Sequence, residues 1–249
     1  MSSTQLSPMP VSRAPFDLDD RGIYRSYVAN LAEILPKDDF VVHLARGRRV
    51  LDLGCIDHDA DEALARGGEW LHARLRSVAE TLVGVDLLAS DADVLNARGY
   101  DIRVADVESL HLGAQFDLIV AGDLIEHLSN IGQFLDSVSR HMHDQSVFVV
   151  TTPNPFNVEQ FSQALFRNKI MVNPQHTVWI DPRVMHELIS RSPFEIVNFH
   201  WIGTRFKADL QGGRVVRRIV NPLNELLMQR RPVLRRDFAV VLMLRKRVR

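Results

Sequence analysis

Three side chains in one short stretch, Asp123, Glu126 and His127, have the types and spacing that proton transfer or metal binding requires. If residues 123–127 form even one helical turn, positions i, i+3 and i+4 share a face. An imidazole has an ordinary pKa of about 6.5, so His127 could act as a general base on a hydroxyl group. Alternatively, the carboxylates and the imidazole could hold a divalent cation that binds a substrate oxygen and lowers its pKa. Both roles stay open, with a purely structural role as the third alternative, and we predict all three residues as catalytic.

A glycine turn after an apolar run indicates where a nucleoside would bind. Residues 50–55 are largely apolar and turn at Gly54, and residues 83–86 form a second such run that ends in an acid. Both are typical of parallel strands whose carboxyl ends hold a cofactor. A dinucleotide needs G-x-G-x-x-G so that the backbone can approach the pyrophosphate, whereas Ile56 and then two aspartates follow here. S-adenosyl-L-methionine fits better, because it lacks phosphate and its cationic groups tolerate nearby carboxylates.

Individual contacts to this cofactor can be predicted along the strand ends. Asp86 would accept hydrogen bonds from both ribose hydroxyls, with helix N-capping as the alternative. Asp52 would orient the glycine loop or meet the methionine ammonium group, while Gly54 lets the backbone approach the methionine part. Asp106 would accept from the adenine amine with Val107 against the ring, although capping is open for Asp106 too. The predicted cofactor set is Asp52, Leu53, Gly54, Cys55, Asp86, Leu87, Asp106, Val107 and Gly122.

Alternating apolar and amphipathic segments must position these residues. The predicted strands are 49–53, 82–86, 101–105, 116–121, 146–151, 194–201 and 238–245, the last two forming an antiparallel pair. The predicted helices are 19–35, 68–81, 90–98, 131–141, 158–166 and 181–191. This alternation favours an α/β, Rossmann-like, doubly wound sheet. We predict a disordered segment over residues 1–18 and one domain over 19–249, with a basic helical insertion at about 205–237.

Composition limits the compartment and the partners. The 249 residues are 46% hydrophobic, enough for a full core, and Cys55 is the single cysteine, which excludes an internal disulfide and suits a reducing cytoplasm. We expect a cytoplasmic protein without a signal peptide. From residue 205 to the end there are thirteen Lys or Arg against three Asp or Glu. This basic end favours an anionic partner, either a phosphorylated or lipid-linked acceptor, a nucleic acid or peripheral membrane contact, or is simply a solvated surface.

Four short motifs occur in a fixed order along the chain. They are Val-Leu-Asp-Leu-Gly-Cys at 50–55, Gly-Val-Asp at 84–86, Phe-Asp-Leu-Ile at 116–119 leading to Glu-His-Leu at 126–128, and Thr-Pro-Asn at 152–154. Together they resemble the class I S-adenosylmethionine-dependent methyltransferases of the small-molecule type. The resemblance implies a seven-stranded, mostly parallel sheet with an antiparallel last strand. The chain departs from the family at Ile56 and His58, where glycines are usual.

The resemblance also bears on the catalytic stretch. Ubiquinone-pathway O-methyltransferases and the small-RNA terminal 2′-O-methyltransferases have Glu-x-x-Glu-His at this place, and the latter have a further metal-binding His after strand five. Here Asp123 replaces the first Glu, and His176 lies in a matching His-x-x-Trp context with Trp179. The resemblance therefore implies a divalent metal site of Asp123, Glu126, His127 and His176.

These observations predict a methyltransferase that methylates a hydroxyl oxygen of a small-molecule or sugar-like acceptor. Asn154 and Phe156, in the turn after the fifth strand, are predicted to line the acceptor pocket with His176 and Trp179, with simple turn formation as the alternative. Three alternatives are an RNA methyltransferase that uses the basic end, a catalytically silent scaffold of the same fold, and an NAD(P)-dependent oxidoreductase. The sequence leaves the oligomeric state open.

Overall fold

A seven-stranded sheet forms the centre of the protein in a computed structural model that describes residues 37–202, 226–228 and 230–246. The strands are β1 (Arg49–Leu53), β2 (Thr81–Asp86), β3 (Ile102–Val104), β4 (Phe116–Gly122), β5 (Met142–Pro153), β6 (Phe194–Ile202) and β7 (Asp237–Leu244). They lie in the order β3-β2-β1-β4-β5-β7-β6. β7 runs antiparallel to both of its neighbours, and the other pairs are parallel. The predicted fold class is confirmed.

Helices cover both faces of this sheet, as expected where strands are long continuous apolar runs. The α-helices before β6 are α1 (Lys37–Ala45), α2 (Ala60–Arg66), α3 (Leu71–Arg76), α4 (Ala89–Asn96), α5 (Ile131–Ser139), α6 (Val158–Arg167) and α7 (Pro182–Ser190), and residues 226–228 are helical as well. One apolar cluster on one face includes Leu51, Ile119 and Phe148, and a second on the other face includes Val50, Val120 and Val149. The alternation along each strand thus divides the core into two layers.

The predicted helix over 68–81 is confirmed only in its middle, where α3 covers Leu71–Arg76, and residue 81 already belongs to β2. A separate helix, which was not predicted, begins at Ala60, because the Asp59 carboxylate accepts from the Glu62 N–H (2.7 Å) and caps it. Gly67, with φ of 51°, ends this helix, and a short 3₁₀ turn separates it from α3.

Two further differences concern the segments that border the catalytic end of the sheet. α1, at Lys37–Ala45, has no counterpart among the predicted helices. β5 is longer than predicted and extends to Pro153. The predicted helix 19–35, the disordered segment 1–18 and most of the basic insertion, with Arg214, Arg217 and Arg218, lie outside the described residues.

Candidate active site

One large cavity opens at the carboxyl ends of β1, β4 and β5, where the order of the sheet reverses and ligands of such folds bind. Its volume is about 930 Å³. Gly54 and Gly122 form its inner wall, and α1 and the segment that follows β5 form its rim. Charged side chains in the lining include seven carboxylates and four Lys or Arg, so the cavity is acidic. The acidic residues are Asp38, Asp57, Glu62, Asp123, Glu126, Glu159 and Asp237.

The turn after β1 requires a glycine. Gly54 has φ of 66°, and a Cβ there would lie 2.8 Å from a methyl carbon of Leu124, so any other residue would meet Leu124 in a left-handed backbone conformation. Ile56 lines the cavity, but it is buried in a small cluster with Trp70 and Leu95. The residue that departs from the family pattern is therefore part of the core beside the turn.

Asp86 lies at the end of β2, directed at the glycine turn. One of its carboxylate oxygens accepts from the Ile56 N–H (2.9 Å), and the other accepts from the N–H groups of Leu87 (2.8 Å) and Leu88 (3.2 Å). Burial raises its pKa, and the three N–H donors counteract that rise. The carboxylate thus joins the two loops that face the predicted ribose position, and it also caps its own turn.

Asp52 does not face the cavity. Its carboxylate lies 2.8 Å from Nδ1 of His72 on α3, and both side chains are buried. Since the pair joins β1 to α3 beneath the glycine turn, the structure favours the loop-orienting role over contact with an ammonium group. The neighbouring Cys55 is buried too, and burial raises the pKa of its thiol well above the ordinary value, so only its backbone could touch a ligand.

The residues predicted for adenine flank the tips of β2 and β3. Leu87 is exposed, and Val107 is buried in the core cluster that also contains Leu53. Asp106 accepts from the Glu108 N–H (2.9 Å), so its carboxylate forms a local turn. None of these residues lies in the lining of the large cavity, which starts one strand further along at Gly54.

Asp123 follows β4 in the left-handed conformation, with φ of 49°, which is uncommon for a residue other than glycine. Its carboxylate forms an ion pair with Lys37 of α1 and accepts from the Thr151 hydroxyl (3.0 Å). Burial alone would raise the Asp123 pKa, but Lys37 lowers it below the ordinary value. Asp123 is therefore a paired carboxylate that holds α1 over the cavity.

Glu126 is buried three residues further on, in a short 3₁₀ turn. One of its oxygens accepts from the Thr152 hydroxyl (2.9 Å), and the other, Oε1, has no hydrogen-bond partner among the residues that the structure describes. Burial and the nearby Asp123 raise its pKa to about 8. An unpaired buried carboxylate oxygen costs free energy unless a ligand or cation contacts it.

Two imidazoles complete this corner of the cavity. The rings of His127 and His176 lie perpendicular with their centroids 4.7 Å apart. One ligand atom from each of Glu126, His127 and His176 can be chosen so that all three lie within 4.8 Å of one another. The segment bearing His176 is fixed by Thr177, whose N–H donates to the Glu126 carbonyl (2.8 Å). Asp123, predicted as a fourth metal ligand, is outside this trio because Lys37 and Thr151 occupy its carboxylate.

The predicted acceptor contacts divide into two groups. Asn154 lines the cavity, but it is fully buried and its amide donates to the carbonyls of Val233 and Arg235 (2.7 Å each), so its side chain also fixes the turn. Phe156 is exposed and lies outside the cavity lining. Trp179 and His176 line the cavity, and Trp179 is half exposed there.

Sequence reasoning missed Lys37, Thr151 and Thr152. The two threonines end β5, and their hydroxyls hold the two carboxylates that follow β4. Adjacent strand ends in a parallel sheet made such a contact predictable. Lys37 had no comparable signal, because it is 86 residues from Asp123 in the sequence.

Comparison with known proteins gives one consistent result. The family described as a methyltransferase domain matches residues 20–199. A Mycolicibacterium smegmatis protein named "Probable S-adenosylmethionine-dependent methyltransferase" is 28% identical over 71% of this chain and 65% of its own length. A ubiquinone biosynthesis O-methyltransferase of Azorhizobium caulinodans is 29% identical over 48% of this chain and 46% of its own length. The chain thus spans between about half and two thirds of these relatives.

The fold is also similar to solved structures. A S-adenosylmethionine-dependent methyltransferase from Archaeoglobus fulgidus superposes with a TM-score of 0.54 at 17% identity, over 82% of this chain and 90% of that one. At this level of identity the similarity concerns the fold, and it agrees with the reversed seventh strand seen here.

Proposed function

Since this chain belongs to the S-adenosylmethionine-dependent methyltransferases, we propose that it transfers a methyl group to a hydroxyl oxygen of a small-molecule acceptor. The observation that carries the proposal is the meeting, in one cavity, of the Gly54 turn and the Glu126, His127 and His176 trio. The Gly54 turn suits binding of the cofactor, and the trio suits deprotonation of an alcohol. An alkoxide is a far better nucleophile than its alcohol, and the remaining contribution is alignment.

The described residues fit the cofactor. Gly54 turns the backbone in the cavity wall, Asp86 offers carboxylate oxygens at the end of β2, and exposed Leu87 offers an apolar surface for a base. The acidic cavity suits a sulfonium and an ammonium group, since opposite charges attract across short distances. S-adenosylmethionine would supply the electrophilic methyl group. The chain's own contribution is to hold the acceptor oxygen in line with that group and to keep water away.

The trio also fits a divalent cation, and we include one in the proposal. A carboxylate and two imidazoles suit several transition metals, and the unpaired Oε1 of Glu126 is the atom that a cation would satisfy. Such an ion would bind the acceptor oxygen and lower its pKa. Thr152, which donates to the other oxygen of Glu126, would orient the ligand from behind. His127 acting alone as a general base is the alternative mechanism within the same function.

The acidic lining disfavours an acceptor with phosphates near the reacting hydroxyl, and so disfavours RNA. A neutral polar or partly apolar hydroxyl compound fits better, because Trp179, Val178 and Met171 line the outer part of the cavity. The lipid-linked acceptor predicted from the sequence is compatible with this lining, and the basic segment that suggested a nucleic acid lies outside the described residues.

Calorimetric titration separates the parts of this proposal. We expect S-adenosylhomocysteine to bind the wild-type protein and Mn²⁺ to bind with an electron paramagnetic resonance signal of protein-bound ion. His176→Ala should lower the Mn²⁺ affinity at least about tenfold and leave the S-adenosylhomocysteine affinity unchanged. His111→Ala, which replaces an exposed histidine outside the cavity, is the matched control.

Each binding result that contradicts these expectations would select a different alternative function or mechanism. Absence of S-adenosylhomocysteine binding would overturn the enzyme proposal and leave the scaffold prediction. NADH binding in its place would select the oxidoreductase. Cofactor binding without Mn²⁺ binding, in a protein whose methyl transfer survives EDTA, would select His127 as a metal-free base.

A further inference from the structure

Four exposed apolar side chains lie on α6 and the loop after it, close in sequence to residues that line the cavity. Phe161 is 62% exposed, Leu165 60%, Phe166 81% and Ile170 78%. These four residues are called the rim patch below. None of the ten residues of α6, all of which the structure describes, is buried, although the helix is amphipathic. Large apolar side chains gathered at one exposed place mark an interaction surface.

The rim patch is held in a defined shape. Asn157 caps α6 by accepting from the Gln160 N–H (2.9 Å), and Asn168 ends it in the left-handed conformation. The side-chain amide of Gln160 donates to the Met171 carbonyl and its oxygen accepts from the Met171 N–H, which fixes the loop after the helix. The backbone that bears Phe166 and Ile170 is therefore held in place by hydrogen bonds at both ends.

The charges around the rim patch favour an anionic surface. Arg167 and Lys169 lie between its apolar residues, and no acidic residue occurs from 160 to 180. The rest of the chain before residue 205 is acidic by comparison, with seventeen Lys or Arg against twenty-eight Asp or Glu. An amphipathic helix with aromatic residues on one face and cations beside them is the pattern of helices that lie in a membrane interface.

We propose that the rim patch docks this protein on the surface of an anionic lipid bilayer, so that the cavity faces the headgroup region. Val158 and Gln160 of α6 line the cavity with Met171 of the loop that follows, while Phe161, Leu165 and Phe166 of the same helix are exposed and lie outside the cavity lining. A hydroxyl compound held in the bilayer by an apolar tail could then enter the cavity without leaving the lipid. This step rests on the proposed function, since it defines the acceptor class as amphiphilic.

A second copy of the chain fits the rim patch less well. In a twofold dimer the same surface lies on both sides of the interface, which would bring Arg167 and Lys169 of one copy near those of the other. Such a dimer would also cover the cavity mouth through which an acceptor must pass. Across the described residues none of the helices is long and apolar enough to cross a membrane, so the contact proposed is at the surface.

Sedimentation with lipid vesicles tests the proposal. We expect the full chain to sediment with phosphatidylcholine vesicles containing phosphatidylglycerol and to bind pure phosphatidylcholine vesicles less. The double variant Phe166→Ser/Ile170→Ser should lower the partition coefficient at least about tenfold, and Arg167→Glu/Lys169→Glu should remove the preference for the anionic vesicles. Val94→Ser, which replaces an exposed apolar residue on α4 away from the cavity, should bind as the wild type does.

Three results would overturn the proposal. The first is no sedimentation with anionic vesicles, or sedimentation that the Phe166→Ser/Ile170→Ser change leaves intact. The second is a concentration-dependent dimer in light scattering that this variant abolishes. The third is a clear loss of thermal stability in the variant, which would show that another part of the chain covers the patch. Vesicle binding needs no methyl transfer, so S-adenosylhomocysteine binding measured on the same samples separates this outcome from failure of the proposed function.

Discussion

The two sides of the cavity end of the sheet, the β1–β2 side and the β4–β5 side, differ in how their carboxylates are paired. At the ends of β1 and β2, the acids are fully engaged: Asp86 accepts three backbone N–H bonds and Asp52 pairs with His72. At the ends of β4 and β5, Asp123 pairs with Lys37 from a distant helix, and Glu126 has an oxygen with no hydrogen-bond partner among the described residues. The two carboxylates of the β1–β2 side are thus paired within the protein. On the β4–β5 side the buried oxygen of Glu126 is without a partner in the part of the chain that the structure describes, and such groups are typical of sites that bind a cation or a reacting group.

The largest effect should come from removing the carboxylate of Asp86 on the β1–β2 side. Asp86→Ala should weaken S-adenosylhomocysteine binding about a thousandfold, because two charged hydrogen bonds are worth ~2 kcal/mol each. Isothermal titration calorimetry measures this loss. Asp86→Asn keeps the size of the side chain and an acceptor oxygen for the loop, so an intermediate loss is expected. Wild-type affinity in the alanine variant would show that Asp86 serves only the turn.

The next effect concerns a buried histidine that packs against α1, the helix whose Lys37 pairs with Asp123. His200 on β6 is buried beside Phe40 of α1, with ring centroids 4.7 Å apart, and its two nitrogens lack hydrogen-bond partners within the described part of the chain. Burial lowers its pKa to about 4. Since the unfolded chain takes up this proton near pH 6.5 and the folded chain only near pH 4, the contribution of His200 makes the folded state less stable as pH falls between these values.

The loss of unfolding free energy attributable to His200 approaches about 3 kcal/mol at pH 4. Urea unfolding at pH 7 and at pH 4.5 measures it. His200→Phe should remove most of this pH dependence, because a phenyl ring takes up no proton. An identical pH dependence in wild type and variant would show that other groups cause the acid sensitivity.

A smaller effect is expected at the Gly54 turn on the β1–β2 side. Gly54→Ala should lower the unfolding free energy by about 2 kcal/mol, since the new Cβ would meet Leu124 in a left-handed backbone conformation. Gly67→Ala is the matched control, because Gly67 also has positive φ but nothing lies within 4 Å of its Cβ position. Equal losses in thermal or urea unfolding would mean that the contact with Leu124 has no energetic weight.

The smallest effect should come from removing the threonine hydroxyls that donate to the carboxylates of the β4–β5 side. Thr152→Val removes the hydroxyl that donates to Glu126, and it should lower Mn²⁺ affinity about tenfold without changing cofactor affinity. Thr151→Val removes the neighbouring hydroxyl, which donates to Asp123, and should leave Mn²⁺ affinity unchanged. If both variants lose the same affinity, the two carboxylates act as one unit and the distinction between them is wrong.

The same contrast explains what sequence reasoning could reach. The bounds of β1, the reversal at the last strands and membership of the methyltransferases were predictable, because local patterns of apolar residues and short motifs define them. The pairing of Lys37 with Asp123 was not, since only the tertiary fold brings α1 to β4. His176 was reached only through a family motif, and the hydrogen bonds of the Asn154 amide to Val233 and Arg235 were not predictable, because a turn amide and a ligand-binding amide look alike in sequence.

The excursion from β5 to α7 has a consequence for engineering. It leaves the sheet after Pro153, supplies the outer lining and His176, and is fixed to β4's end through Thr177. Neither Gly54 nor Asp86 is part of it. Under the proposed function, grafting the corresponding loop of another relative should therefore change the acceptor preference while the affinity for the cofactor stays that of the parent, provided that the threonine anchor is kept.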